Sequence, residues 1–218
     1  MTWLLGNLPL VGSLTLEHLA FALPPVVIGL VLAVPLGWLA NRTRIGRTLT
    51  INVAGLLYTI PSLALFVLLP PFLGTRILDA ANVYVALTVY TVALLVRTVA
   101  DALSAVPPIV VNSATAMGYT PFRRFAAVEL PLSVPVVLAG LRVAAVSSIS
   151  LVTVGALIGF GGLGKMFTDG FQRDIPAEIL TGIVLVLLMA LIVDALILFL
   201  GRLLTPWDRV GQQARGRA

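Results

Sequence analysis

The chain has 218 residues, 59% of them hydrophobic and only 11% charged, with a formal net charge of +5. Soluble domains carry roughly 25% charged residues, so a water-soluble globule is excluded and the composition is that of an integral membrane protein. Cysteine is absent, which excludes disulfides and thiolate metal sites, and the arginines punctuate the apolar runs instead of gathering on one face, so no nucleic-acid partner is expected.

The N-terminus has no basic region ahead of a short apolar core and no small-residue cleavage site, so a cleavable signal peptide is not expected. Residues 3–16 are interrupted by Gly6, Pro9 and Gly12 and are too short to span; they read as an interfacial segment on the outer face. Five apolar runs then reach the ~20 residues that a crossing requires. They are Leu19 to Ala40, Leu49 to Leu69 with Pro61 inside it, Val83 to Ala100, Val134 to Ile158, and Ile179 to Leu204. Pro24, Pro25 and Pro35 lie within the first run, and such breaks are tolerated where neighbouring helices satisfy the freed carbonyls, so a packed bundle is expected. The predicted fold class is an all-α integral membrane protein of five transmembrane helices.

Arginine placement sets orientation. With the Arg42, Arg44 and Arg47 loop in the cytoplasm, Arg123, Arg124, Arg202, Arg209, Arg215 and Arg217 also fall inside, while Glu17, Asp79, Asp169, Asp174 and Glu178 fall outside. The predicted protein is N-out and C-in. It is one permease-like domain, 1–218, with a membrane core over 19–204, a cytoplasmic loop over 104–133 and a basic cytoplasmic tail over 205–218.

The polar stretch from Asn112 to Pro131 breaks the apolar pattern and must have a water-side role. Asn112 to Met117 is helix-compatible and Gly118 stops it. Thr120 and Pro121 open a second short helix as N-cap and first-turn proline, with Phe122, Phe125 and Ala126 on one face, Arg123 and Arg124 on another, and Leu130-Pro131 ending it. Two short helices with one apolar face, lying outside the bilayer, suit a groove on a soluble partner.

That loop resembles the cytoplasmic loop of bacterial ATP-binding-cassette importer permeases, which reads Glu-Ala-Ala, three residues, Gly, nine residues, a β-branched aliphatic, one residue, Leu-Pro. Asn112-Ser113-Ala114, Gly118, Val128, Leu130 and Pro131 stand at those intervals, with Asn112 where the family has its acidic residue. The runs Tyr58 to Pro70, Glu129 to Arg142 and Gly155 to Gly164 are similar to the permeases of osmoprotectant importers, which take up glycine betaine, choline, carnitine and related quaternary amines. The likeness covers about residues 19–207. It implies a bacterial inner-membrane subunit with no chemistry of its own and no cofactor. It implies as partners two ATP-binding-cassette ATPases, a second permease chain (a copy or a sister), an external substrate-binding protein and membrane lipid. The implied coupling residues are Asn112, Ala114, Gly118, Phe122, Arg123, Arg124, Phe125, Leu130 and Pro131.

Other residues are read directly. Gly159 to Lys165 matches a dinucleotide fingerprint and most of a phosphate loop on paper, but neither a preceding strand nor the required Ser or Thr is present; it reads as a turn at the outer end of the fourth run. His18, the only histidine, reads as a solvated interfacial residue, and no metal site is expected. A charge within a span costs roughly 2.5–3.5 kcal/mol. Arg142 and Asp194 each lie about 12 Å deep by helical rise and are expected to pair in the inner half of the bundle. Arg97 and Asp101, at i and i+4, can also pair. Candidate pathway residues are Tyr58, Thr59, Ser62, Tyr90, Ser147, Ser148, Ser150 and Thr153, the alternative for each being interhelical packing. A quaternary ammonium would suit the aromatic faces through cation–π contact. A secondary transporter or channel working without ATP is the alternative function; it would want inverted repeats or mid-membrane acids beyond the single Asp194.

Overall fold

A computed structural model describes residues 2–76 and 78–207, and among these every regular element is helical. In chain order the helices are α1 (Thr2–Gly6), α2 (Leu8–Ala40), α3 (Arg44–Thr59), α4 (Ser62–Leu68), α5 (Pro70–Leu73), α6 (Ala80–Ser104), α7 (Pro108–Ala116), α8 (Pro121–Arg124), α9 (Leu130–Val154), α10 (Lys165–Gln172) and α11 (Pro176–Leu204). Arg209, Arg215 and Arg217 of the expected basic tail lie outside the described residues.

Four helical stretches are long and apolar enough to cross a membrane: α2, α6, α11, and the run Pro121–Ile158 that contains α9. A fifth crossing exists only if α3 and the α4–α5 segment count as one span, and these are bent by 94°. The span expected from Leu49 to Leu69 with Pro61 inside it is thus two helices meeting at a sharp bend. Pro61 is the cause. It has no N–H and pushes the preceding residue out of the helical region, so Ile60 (ψ 129°) and Pro61 (ψ 134°) are extended and Ser62 starts a new helix.

The N-terminal expectation is also corrected. Residues 8–16 are not a separate interfacial segment but the first turns of α2, which runs 33 residues without a break. Pro9 sits in the first turn, where its missing N–H costs nothing, and Gly12 has open space around it. At 1.5 Å per residue α2 is ~50 Å long, well beyond the ~30 Å hydrocarbon core, so it extends past the membrane at its N-terminal end.

Helix α6 is the centre of the bundle, packing on α2, α3 and α9. Of its most apolar window 56% is buried, against 11% for α11, which leaves α11 at the periphery with Leu187, Leu191, Phe199 and Leu203 exposed as lipid-facing side chains. Two glycines set the α2–α6 distance. A Cβ at Gly29 would lie 2.4 Å from Thr91 Cγ2, and one at Gly37 2.7 Å from Val99 Cγ1. Small residues permit this backbone approach, and van der Waals packing holds helices together where lipid supplies no hydrophobic drive. Polar ties reinforce it: Asn41 Nδ2 donates to Ala100 O at 2.8 Å, Tyr84 Oη to Ala20 O at 3.1 Å, and Ser148 Oγ brings α9 in by donating to Ala22 O at 2.8 Å.

Gly37→Leu should therefore lower stability by about 1–3 kcal/mol through overpacking, seen as a lower thermal midpoint of the detergent-purified protein. Gly55→Leu, at a position with nothing within 4 Å, should leave that midpoint nearly unchanged.

Candidate functional site

A knuckle at one end of the bundle is built by α7, Gly118 and α8. Helix α7 stops at Ala116, and Gly118 takes φ +84°, in the left-handed region where a side chain is strained. Gly118 N–H donates to Thr115 O and Tyr119 N–H to Ala114 O, closing the last turn. Thr120 then caps α8, its Oγ1 accepting from Arg123 N–H, with Pro121 in the first turn. The expected end at Leu130-Pro131 is corrected: α8 runs through a π-helical turn, Phe125–Glu129, straight into α9. Pro131 can donate no bond, and the wider turn, with Leu130 N–H reaching Phe125 O, absorbs that loss at the start of α9 rather than breaking the helix.

The knuckle residues divide into two groups. Asn112, Met117, Gly118, Phe122 and Arg123 are exposed, Met117 by 70% and Phe122 by 65%. Phe125 is corrected as a docking residue. It is 6% exposed, stacked on Trp38 at 4.9 Å between ring centres and packed with Val99, Leu103 and Val137. Ala114 is likewise buried, which removes it from any outward face, and Leu130 and Pro131 are half-buried at the foot of α9. Arg124 is an internal strut rather than a rim charge: Nε donates to Glu129 at 2.6 Å and Nη1 to Thr115 Oγ1 at 2.7 Å, joining α7 to the π turn. Arg123 lies 4.9 Å over the Tyr119 ring. Sequence reasoning passed over Met117, Thr115, Glu129 and Ile109; the exposed apolar Met117 and Ile109 were legible as apolar residues within a polar loop.

Above the knuckle, Arg47 of α3 bonds Asp101 of α6, while Arg97 is 3.9 Å from the same carboxylate. Exposed pairs of this kind are worth little; they tie the inner ends of α3 and α6 together.

At mid-bundle, Tyr58, Ser62, Tyr90, Ser147 and Ser150 line one open pocket of about 270 Å³ with Ile60 and Leu151. The 94° bend makes this pocket. Tyr90 Oη donates to the carbonyl of Ile60, supplying a partner at the break in the helix, and the Tyr58 and Tyr90 rings meet edge to face at 5.9 Å. Thr59 Oγ1 bonds back to Leu56 O within α3. Ser148 is buried and committed to Ala22, and Thr153 Oγ1 donates to Ser150 O; neither is part of this pocket's wall. Arg142 and Asp194 form a two-bond pair, Nε–Oδ1 and Nη2–Oδ2 both 2.7 Å, and line a second open pocket of about 390 Å³ that shares Ser147 with the first.

The end of the bundle opposite the knuckle carries a clasp. His18 is corrected from a solvated residue to a buried one. Its Nε2 lies 2.9 Å from Ile149 O, and since a carbonyl only accepts, Nε2 carries the proton. The Gly159–Gly164 turn packs on it so closely that a Cβ at Gly162 would fall 2.6 Å from the His18 backbone. Lys165 Nζ then reaches Glu17 at 2.8 and 3.0 Å. Gly162 is required by the His18 contact, Gly161 and Gly164 by equally close approach to Ala156 and Thr153, and Gly159 by its φ of +87°, so packing and backbone conformation account for the glycine run without a phosphate. Among the described residues no group of three or more His, Asp or Glu side chains could hold a metal ion.

Comparison with known proteins agrees in fold and family. The osmoprotectant import permease OsmW of Salmonella typhimurium is 32% identical over 94% of this chain and 96% of its own. The choline transport permease OpuBB of Bacillus subtilis is 33% identical over 88% and 87%, and the carnitine transport permease OpuCB of Listeria monocytogenes 34% over 88% and 87%. An inward-facing structure of the MetNI methionine ABC transporter superposes with a TM-score of 0.75 at 27% identity, covering 94% of this chain and 96% of that one. The family model of the binding-protein-dependent transport system inner membrane component matches residues 25–209, and the chain belongs to that family of non-catalytic, multi-pass membrane permeases.

Proposed function

We propose that the chain forms the translocation pathway of an ATP-driven osmoprotectant importer, carrying quaternary amines such as glycine betaine, choline or carnitine, and that its inner knuckle docks on a separate ATPase. The observation that carries the substrate class is the 32–34% identity over most of the chain to permeases named for osmoprotectants, choline and carnitine. The mid-bundle pocket supports it. The exposed Tyr58 ring beside serine hydroxyls offers a cation a π face and weak polar contacts, with no fixed carboxylate among the pocket's lining residues to trap it.

In this reading two permease chains enclose the pathway, two ATPases sit under the knuckles, and an external binding protein delivers solute to the outer surface. Asn112, Met117, Phe122 and Arg123 form the contact with the ATPase, Gly118 sets the sharp turn that presents them, and Arg124 keeps that turn rigid. The N-out, C-in orientation is supported by charge. Arg42, Arg44, Arg47, Arg97, Arg123 and Arg124 gather at the knuckle end, and Glu17, Asp169, Asp174 and Glu178 at the other, the distribution expected of a cytoplasmic knuckle.

Three outcomes follow from this reading. Gly118→Val places a β-branched side chain at φ +84°, a strained conformation, and should cut solute uptake at least tenfold in cells while membrane insertion persists; unchanged uptake would remove Gly118 from coupling. Met117→Glu combined with Phe122→Glu should abolish co-purification of the ATPase, whereas Leu16→Glu, exposed near the opposite end of α2 from Trp38, should not. Because the native chain has no cysteine, Asp169→Cys should react with a membrane-impermeant maleimide in intact cells and Thr115→Cys only after lysis; the reverse pattern would invert the topology.

A further inference from the structure

The exposed face of α9 carries the Arg142–Asp194 pair where a lipid-facing surface could not. Arg142 and Asp194 keep 37% and 27% of their side chains exposed in the middle of apolar helices, and an open pocket reaches them. A charge facing hydrocarbon costs several kcal/mol, so this face looks onto water or onto a second chain across a wet cavity. Along α9, Ala139, Val143, Val146 and Ser150 form the exposed stripe. At 100° per residue Arg142 lies on one edge of that stripe and Ser147 on the other. Asp194 of α11 flanks the first edge, and Tyr58 and Tyr90 flank the second. Ser147 lines both pockets, so the two adjoin at that residue along one grooved face of α9.

The groove has two chemical poles. The tyrosine pole attracts an onium group by the exposed Tyr58 ring, which the buried Tyr90 meets edge to face. At the other pole Arg142 uses Nε and Nη2 on Asp194, which leaves the Nη1 edge of a planar fork able to donate to another carboxylate. Because Asp194 already neutralises most of the guanidinium charge, that contact is a weak one, which suits a pathway that must release what it binds.

We propose, resting on the osmoprotectant reading above, that this groove is a two-pole station for zwitterions: the quaternary ammonium passes the Tyr58–Tyr90 corner while the carboxylate is met by Arg142, so carboxylate-bearing solutes such as glycine betaine and carnitine are moved in preference to choline, which has a hydroxyl instead.

The test is uptake by the complete importer, with its ATPase and binding protein, in proteoliposomes, at solute concentrations that saturate the binding protein. Labelled glycine betaine and choline are compared, so a ratio changed by a permease substitution arises in the permease. Arg142→Leu with Asp194→Leu removes both charges together and leaves neither stranded, a replacement that is often neutral for folding. It should lower the glycine betaine to choline ratio at least tenfold. Arg142→Lys, which keeps the pair and loses the fork, should lower it to an intermediate value, and serves if the double variant does not assemble. A ratio unchanged within twofold in the variants that assemble, or an unsubstituted importer that moves choline better than glycine betaine, overturns the two-pole station while leaving the osmoprotectant reading standing. An importer that moves neither solute overturns both.

Discussion

The close approach of α2 to α6 is the contact on which the remaining packing depends. Gly29 and Gly37 bring the two backbones together without intervening side chains, and α6 can then present its other sides to α3 and α9. In hydrocarbon there is no gain from hiding apolar surface from lipid, so this geometric fit and a few polar ties hold the helices. Those ties run to backbone carbonyls: Asn41 to Ala100, Tyr84 to Ala20, Ser148 to Ala22 and His18 to Ile149. A carbonyl already bonded within a helix has a second lone pair, and a polar side chain from a neighbour can use it without unwinding anything.

The same rule governs where the chain departs from helix. Non-helical backbone at membrane depth survives only where protein satisfies it. At the Ile60–Pro61 bend, Tyr90 donates to the freed carbonyl of Ile60, and the bend turns Tyr58 and Ser62 toward Ser147 and Ser150. At the foot of α9, the π turn lets the helix pass Pro131. At the end opposite the knuckle, the Gly159–Gly164 turn folds onto α2, and Lys165 meets Glu17 beside it. Each departure from regular helix lies at a place where a pocket, a knuckle or an outer contact is formed.

What the sequence discloses follows from which forces are local. The apolar runs and their lengths identify α2, α6, α9 and α11, because hydropathy is a property of the window itself. Gly118 reads as a helix stop because only glycine occupies left-handed backbone at little cost. Pro9 and Pro61 have the same missing N–H, yet one starts a helix and the other breaks a span; the difference is position relative to the first turn, which residue type alone does not state. Phe125 reads as an outward residue beside Phe122 if α8 is an isolated α-turn. Trp38, 87 positions earlier in the chain, meets both rings, covering Phe125 and leaving Phe122 exposed. His18 fails as a reading for a similar reason: its partner carbonyl is 131 residues away. The Arg142 and Asp194 pairing was open to sequence reasoning because the cost of either charge alone in a span is so large that a partner at equal depth is the economical expectation.

The continuity of α8, the π turn and α9 links the two functional regions mechanically. From Pro121 to Ser150 the chain is helical without a break, about 45 Å at 1.5 Å per residue. The knuckle and the groove-lining residues Arg142, Ser147 and Ser150 are therefore two parts of one rod. Packed helices shift between discrete arrangements and do not deform smoothly, so a displacement applied at Gly118 reaches the groove as a rotation or translation of that rod. The π turn is braced on one side by the Arg124 bonds to Glu129 and Thr115 and on the other by Phe125 stacked on Trp38. Both braces act on the first turns of the rod: one ties it to α7, the other to the inner end of α2. Through Phe125 on Trp38 the knuckle is packed on α2, and the opposite end of α2 holds His18 and the glycine turn. The two ends of the bundle are thereby connected through two helices rather than through a chain of individual side-chain contacts.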